Sequence, residues 1–315
     1  MSLWSTLTAR LTAREPATAL ALVRILLALA ILWDLLDIRL SGAMDMLWMP
    51  RTAGGLSYAT ADGWLAEYVA STPDNILAVY AVTVTACVLL VAGLGARPAA
   101  FVTLLGFRFL TSLNGNSIGG HDRVIANGLF LLCLSPSDVT LSARCWLKHR
   151  AWTSAEAVAA WPRHLFIYQL ALMYTCTGIQ KLGLVWWPGG GYLAVYYSLL
   201  QVHWARADWW WVAWLAPLTR MGTALTWWWE TMWWLVPLWI WLRATPERGG
   251  RLRALAARFD LRTPFVIIGI LMHGTIWVFL NLGPFSAVTL SLYPALYHPD
   301  ELHQWAQKIR KRLRG

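Results

Sequence analysis

Apolar runs of about twenty residues recur along this chain, and nothing else in it restricts the fold so strongly. Two of them are ATALALVRILLALAILWDLL, from residue 17, and NILAVYAVTVTACVLLVAGLG, from residue 75. A helix needs roughly 20 such residues to cross the hydrocarbon of a bilayer, and there every backbone polar group must be satisfied within the segment. Hydrophobic residues make up 58% of the sequence and charged residues 13%, well under the roughly 25% charged of a soluble domain. The predicted fold is all-α: a polytopic transmembrane helical bundle of about eight spans plus a re-entrant or interfacial segment. The spans are drawn at 17–36, 75–95, 97–114, 122–136, 163–182, 221–243, 264–283 and 284–298. Pro188 and Gly189 to Gly191 make 186–220 an excursion that does not cross.

The basic residues test this drawing. Eighteen Lys and Arg fall on the side of the N-terminus and six on the other, with Arg24 and Arg108 inside spans. That bias predicts cytoplasmic N- and C-termini. It also accounts for the net charge of +10 without nucleic acid as a partner. Arg10 and Arg14 precede the first apolar run as in a signal peptide, but the run is too long and carries Arg24 and Asp34, so an uncleaved span is expected. One transmembrane domain is expected over 1–315, with a basic, interfacial cytoplasmic tail at 298–315. The 23 tryptophans suit interfacial belts, some of them lining an interior cavity. Cys87, Cys133, Cys145 and Cys176 show no metal-ligand spacing, and no metal is expected.

Four ionisable positions stand out against this background. Lys181 ends an apolar helix just before WWPGGG. It is either a snorkelling anchor or an amine that burial lowers to a neutral base. The neighbouring Tyr174, Thr177, Gly178 and Gln180, with the glycine turn, favour a pocket. In LNGNSIGGHDRVIAN, Asp122 reads as a helix cap, whereas His121 is either a solvated loop residue or a hydrogen-bond partner for an amine or a quinol oxygen. Glu230, inside WWWETMWW, is expected in a structural pair with Arg24 or Arg108, and could also line a cavity. His273 is either an interhelical hydrogen bond or a cavity wall. The charge count sets Lys181 and His121 at one membrane depth, on the extracytoplasmic side.

These residues carry a family likeness. YQLALMYTCTGIQKLGLVWWPGGGY is similar to the block QxxIVYxxAGxxKLxxxWxxGY of the vitamin K-dependent gamma-glutamyl carboxylases and the related bacterial HTTM (horizontally transferred transmembrane) domain proteins. LNGNSIGGHDRVIANGLFLL aligns without gaps with that family's loop-and-helix block. MHGTIWVFLNLGPFSAVTLSLYPALYHPDEL resembles FHxxNxxxFxxGxFSxVMLxxxPLFxxPE. The resemblance covers the transmembrane region only, without the carboxylases' lumenal domain, and the family's lysine pair is here Gln180-Lys181.

The resemblance implies an enzyme with Lys181 as base and His121 as its partner. Asn116, Tyr174, Trp187, Glu230 and His273 would form the cofactor site. The cofactors would be a reduced quinone (vitamin K hydroquinone or menaquinol), O2 and CO2. The quinol is deprotonated and oxygenated to an epoxide, and the strong base so formed drives carboxylation of a glutamate-containing or small substrate. The expected partners are the lipid bilayer, a membrane quinone and a peptide or protein substrate; the sequence does not give an oligomeric state. The alternative readings are a non-catalytic quinone- or lipid-binding or peptide-maturation protein, and a transporter. No P-loop or HExxH occurs, and no repeated half supports transport.

Overall fold

A computed structural model describes residues 3–58 and 64–314. The chain is mostly helical and divides into two compact units, Met1–Phe166 with Ala287–Gly315, and Ile167–Ser286. The first contains α1 (Leu3–Thr12), α2 (Thr18–Leu40), α3 (Ala43–Leu47), α4 (Pro73–Ala92), α5 (Ala96–Ser112), α6 (Gly120–Leu134) and α7 (Ala143–His149). α8 (Trp161–Gln180) begins in that unit and continues into the second. The second holds α9 (Ala194–Leu199), α10 (Ala216–Thr231), α11 (Leu235–Arg243), α12 (Arg251–Arg258) and α13 (Arg262–Phe279). α14 (Phe285–Ser291) and α15 (Pro299–Arg314) follow.

In the first unit α2 is the central helix. Leu20, Val23, Leu27, Ile31 and Leu35 recur at helical spacing and are fully buried; α4 and α6 pack on α2, α5 packs on α4 and α6, and Leu90, Phe107, Leu110, Ile125 and Leu129 of these helices are buried as well. The opposite faces keep Leu26, Leu29, Leu77, Val82 and Phe101 exposed, as lipid-facing surfaces do. Contacts cluster at matching helix ends. At one end, Arg24 donates to the carbonyls of Leu90 (3.1 Å), in the last turn of α4, and Leu141 (2.6 Å), in the loop between α6 and α7. At the other, the Tyr80 hydroxyl donates to Leu35 O at 3.1 Å and Asn114 Nδ2 to Leu47 O at 3.2 Å. This is the alternation of helix direction that antiparallel spans require.

The structure differs from the expected elements in several places. A short antiparallel ribbon pairs β1 (Arg14–Pro16) with β2 (Ala157–Ala159), so the fold is not purely helical. The expected span 221–243 is two helices, broken at Met232–Trp234. Pro237 explains the break: its ring cannot sit over the carbonyl of Trp233 in a continuous helix. The expected span 284–298 is only the seven-residue α14 and a 3₁₀ turn, Tyr293–Leu296, too short for the roughly 30 Å of hydrocarbon. Among the described residues three helices are long and apolar enough to cross a membrane, namely α2, α4 and α13. Between α8 and α10 lie 3₁₀ turns and the six-residue α9.

Candidate functional site

In the second unit the residues singled out from the sequence converge on the C-terminal end of α8. Gly178, one turn before Lys181, lies where a Cβ would meet Thr231 N at 2.5 Å and the Glu230 carbonyl carbon at 2.9 Å. Only glycine lets α8 approach the end of α10 so closely, and that approach brings the next turn of α8 against Glu230. The Lys181 ammonium donates to Glu230 Oε2 in a direct ion pair, with the two side chains 14% and 9% exposed. Its Nζ also lies 4.8 Å from the centre of the Trp186 ring, over its electron-rich face.

The expected pair of Glu230 with Arg24 or Arg108 is therefore wrong. Arg24 is used by backbone carbonyls in the first unit, and the carboxylate of Glu230 is used by Lys181. The reason is geometric: a carboxylate at the end of α10 meets the cation that Gly178 admits, and the break before Pro237 leaves α10 ending just beyond it. Trp187 has a structural task here. Its indole N–H donates to Lys181 O at 2.9 Å, closing the end of α8, while its ring packs on Trp227 at 5.1 Å.

Two turns before Lys181, Tyr174 enters an aromatic cage. Its ring is edge-on to Trp229 at 4.6 Å and stacked on Trp233 at 5.0 Å, with Phe265 behind both tryptophans. The Tyr174 hydroxyl is hydrogen-bonded to His273 Nε2 at 2.7 Å, and His273 packs on Phe285 at 5.3 Å. Trp229 donates to Phe265 O at 3.0 Å. His273 Nδ1 and Trp233 Nε1, both on fully buried side chains, have no hydrogen-bond partner among the described residues. Buried polar atoms left in this state are costly and suit a bound oxygen, from water or a ligand. Trp233 was not distinguished in the sequence from its many neighbouring tryptophans. The signal that would have found it is Pro237, four residues on, which marks the helix break.

His121 and Asn116 belong to the first unit. Asn114 builds the turn there, accepting from Asn116 N at 3.1 Å, and the Asn116 side chain is exposed. Asp122 Oδ2 accepts from Gly119 N at 2.6 Å, so it caps α6 from the third position of the helix, reaching back to Gly119 at the N-cap, and not as the N-cap itself. His121 Nε2 lies 3.7 Å from Asp122 Oδ1 with its ring largely buried.

These features define a class: a helical membrane protein with a buried lysine–carboxylate pair beside an aromatic, partly unsatisfied polar cage. The chain belongs to the HTTM domain family, whose model matches residues 13–236. The match takes in Lys181, Glu230 and Trp233 and ends before His273. The domain is associated with vitamin K-dependent carboxylase-like membrane proteins. Searches of curated proteins and of solved structures found no match.

Proposed function

We propose that this protein is a quinol-dependent membrane oxygenase in which Lys181 and Glu230 together handle the proton. The observation that carries the reading is their ion pair, set beside the Tyr174 cage in a chain of this family. Only a neutral amine can take a proton. Transfer of one ammonium proton from Lys181 Nζ to Glu230 Oε2 breaks an N–H bond and forms an O–H bond, leaving an amine able to accept a proton from an acidic hydroxyl. Trp186 covers the amine and limits water, which would quench a strong base. The unpartnered His273 Nδ1 and Trp233 Nε1, between aromatic walls, suit an oxygen-bearing ring, with Tyr174 holding the His273 ring in place. When bound, a reduced quinone supplies the acidic hydroxyl and the electrons that oxygen consumes.

His121 as assistant to Lys181, CO2, and a glutamate-bearing acceptor enter on the resemblance alone. The bacterial inner (plasma) membrane enters on it too, whereas the eight-segment topology rests on the apolar runs, and the cytoplasmic termini and extracytoplasmic site on the charge count. The test is epoxide formation by purified protein given vitamin K hydroquinone or menaquinol in air. Wild type forms epoxide, Glu230→Gln is slowed by about 10²-fold or more, and Lys181→Ala is inactive. Wild type as inactive as Lys181→Ala, across several quinols, would overturn the reading. Incorporation of labelled bicarbonate into a glutamyl peptide tests carboxylation separately.

One observation favours a second reading. Lys181 already has a structural task in its ion pair, and Trp228 and Trp234, which flank Glu230 in sequence, are exposed. In that case the protein is a non-catalytic quinone-binding or peptide-maturation component. Lys181→Met with Glu230→Leu would then keep function, whereas Trp228→Ala with Trp234→Ala would lose partner binding.

A further inference from the structure

Helix α15 has no part in the chemistry proposed for Lys181. Its apolar residues Leu302, Trp305, Ile309 and Leu313 are spaced by three, four and four, which draws one stripe along the helix. A stripe of this kind normally packs against the protein. Here its exposure rises along the helix, from 44% at Trp305 to 59% at Ile309 and 82% at Leu313. Trp305 still rests edge-on against Tyr297 at 4.6 Å, and beyond it the stripe leaves the packed surface.

Charge and depth indicate what covers the stripe. Asp300 and Glu301 lie in the first turn, whereas Lys308, Arg310, Lys311, Arg312 and Arg314 crowd the end. At 100° per residue, Arg310 and Arg312 flank the stripe on its two sides. The start of the helix is pinned to the end of a span: His303 Nε2 is 2.8 Å from the hydroxyl of Thr18, the first residue of α2. His298 Nε2 lies 3.7 Å from Glu15, itself held by two hydrogen bonds from Arg163. The first turns of α15 are therefore held level with the start of α2, a helix long and apolar enough to span a membrane. An uncovered apolar stripe at headgroup depth, edged by cations, is what a membrane-surface helix presents.

We propose that α15 is a binding surface for anionic phospholipid headgroups, seating Trp305, Ile309 and Leu313 in the interface while its basic residues engage lipid phosphates. The same face could attract an acidic protein, but its depth favours lipid.

Hydrogen exchange of the full chain tests this in nanodiscs of phosphatidylcholine alone or with phosphatidylglycerol added. Amides of 305–313 are expected to exchange at least about tenfold more slowly in the anionic discs, with the difference shrinking in about 0.5 M salt. Replacing Lys308, Arg310, Lys311 and Arg312 by Gln, which keeps helix propensity, should erase the lipid dependence while α2 amides stay protected. Trp305→Ser with Ile309→Ser and Leu313→Ser should lose protection in both discs. Equal exchange of wild type in the two lipids, protection that persists in the Gln variant, or protection that arises only when another protein is added would each overturn the proposal.

Discussion

Removing the Lys181 amine does two things at once, and they must be separated. Lys181→Ala strands a buried carboxylate, so a loss of about 3–5 kcal/mol of stability is expected along with the loss of epoxide formation. Lys181→Met with Glu230→Leu removes both charges and should recover most of that stability without activity, measurable as thermal midpoint and product yield in one detergent. Tyr174→Phe is milder: it leaves His273 Nε2 without its partner and should cost about 1–3 kcal/mol. If Tyr174→Phe were neutral in a thermal melt, another group must satisfy His273. The sequence marked Lys181, Tyr174, Glu230 and His273 one by one, because ionisable and hydroxyl groups stand out in an apolar run. It did not pair them, since Glu230 lies 49 residues from Lys181 and two arginines were equally plausible on charge alone.

Helices set these residues in place through small backbone features. Gly178→Ala would force a methyl against the backbone of Glu230 and Thr231, which cannot rotate away as a side chain could. A cost of about 1–3 kcal/mol is expected, together with a weakened Lys181–Glu230 pair, seen as reduced epoxide yield at full protein content. At the start of α13, Arg262 donates two side-chain hydrogen bonds to Asp260, at 2.9 and 2.7 Å, with Arg243 at 3.3 Å. Burial alone would raise the Asp260 carboxyl, but Arg262 and Arg243 outweigh it and hold the group below its ordinary value. A carboxyl depressed on folding stabilises above its unfolded pKa, near 4, and that contribution is lost as pH falls through the folded value. Asp260→Asn should therefore flatten the acid side of a melting-temperature profile and leave the neutral side lower; an unchanged profile would show that the pair is inert. On the sequence these arginines were counted only as cytoplasmic charge.

For the whole molecule, the ribbon β1–β2 and the Glu15–Arg163 pair join segments about 150 residues apart. Arg163 donates to both Glu15 oxygens, at 2.6 and 2.9 Å, and to Ala295 O at 3.2 Å. Arg163→Ala should destabilise the first unit by about 3–5 kcal/mol, while Arg163→Met with Glu15→Leu recovers much of it; a melt of the three proteins decides. What the sequence determined alone is the solvent: long apolar runs and sparse charge require helices in a bilayer, because no other open structure satisfies its backbone there. The helical runs of the first unit and the candidate site residues followed from that. Only the tertiary structure decided which charges neutralise one another, where a helix breaks, and which polar atoms remain unpaired. Those depend on approach distances of a few tenths of an ångström, set by a glycine in one helix and a proline in another, and no spacing along the chain encodes them.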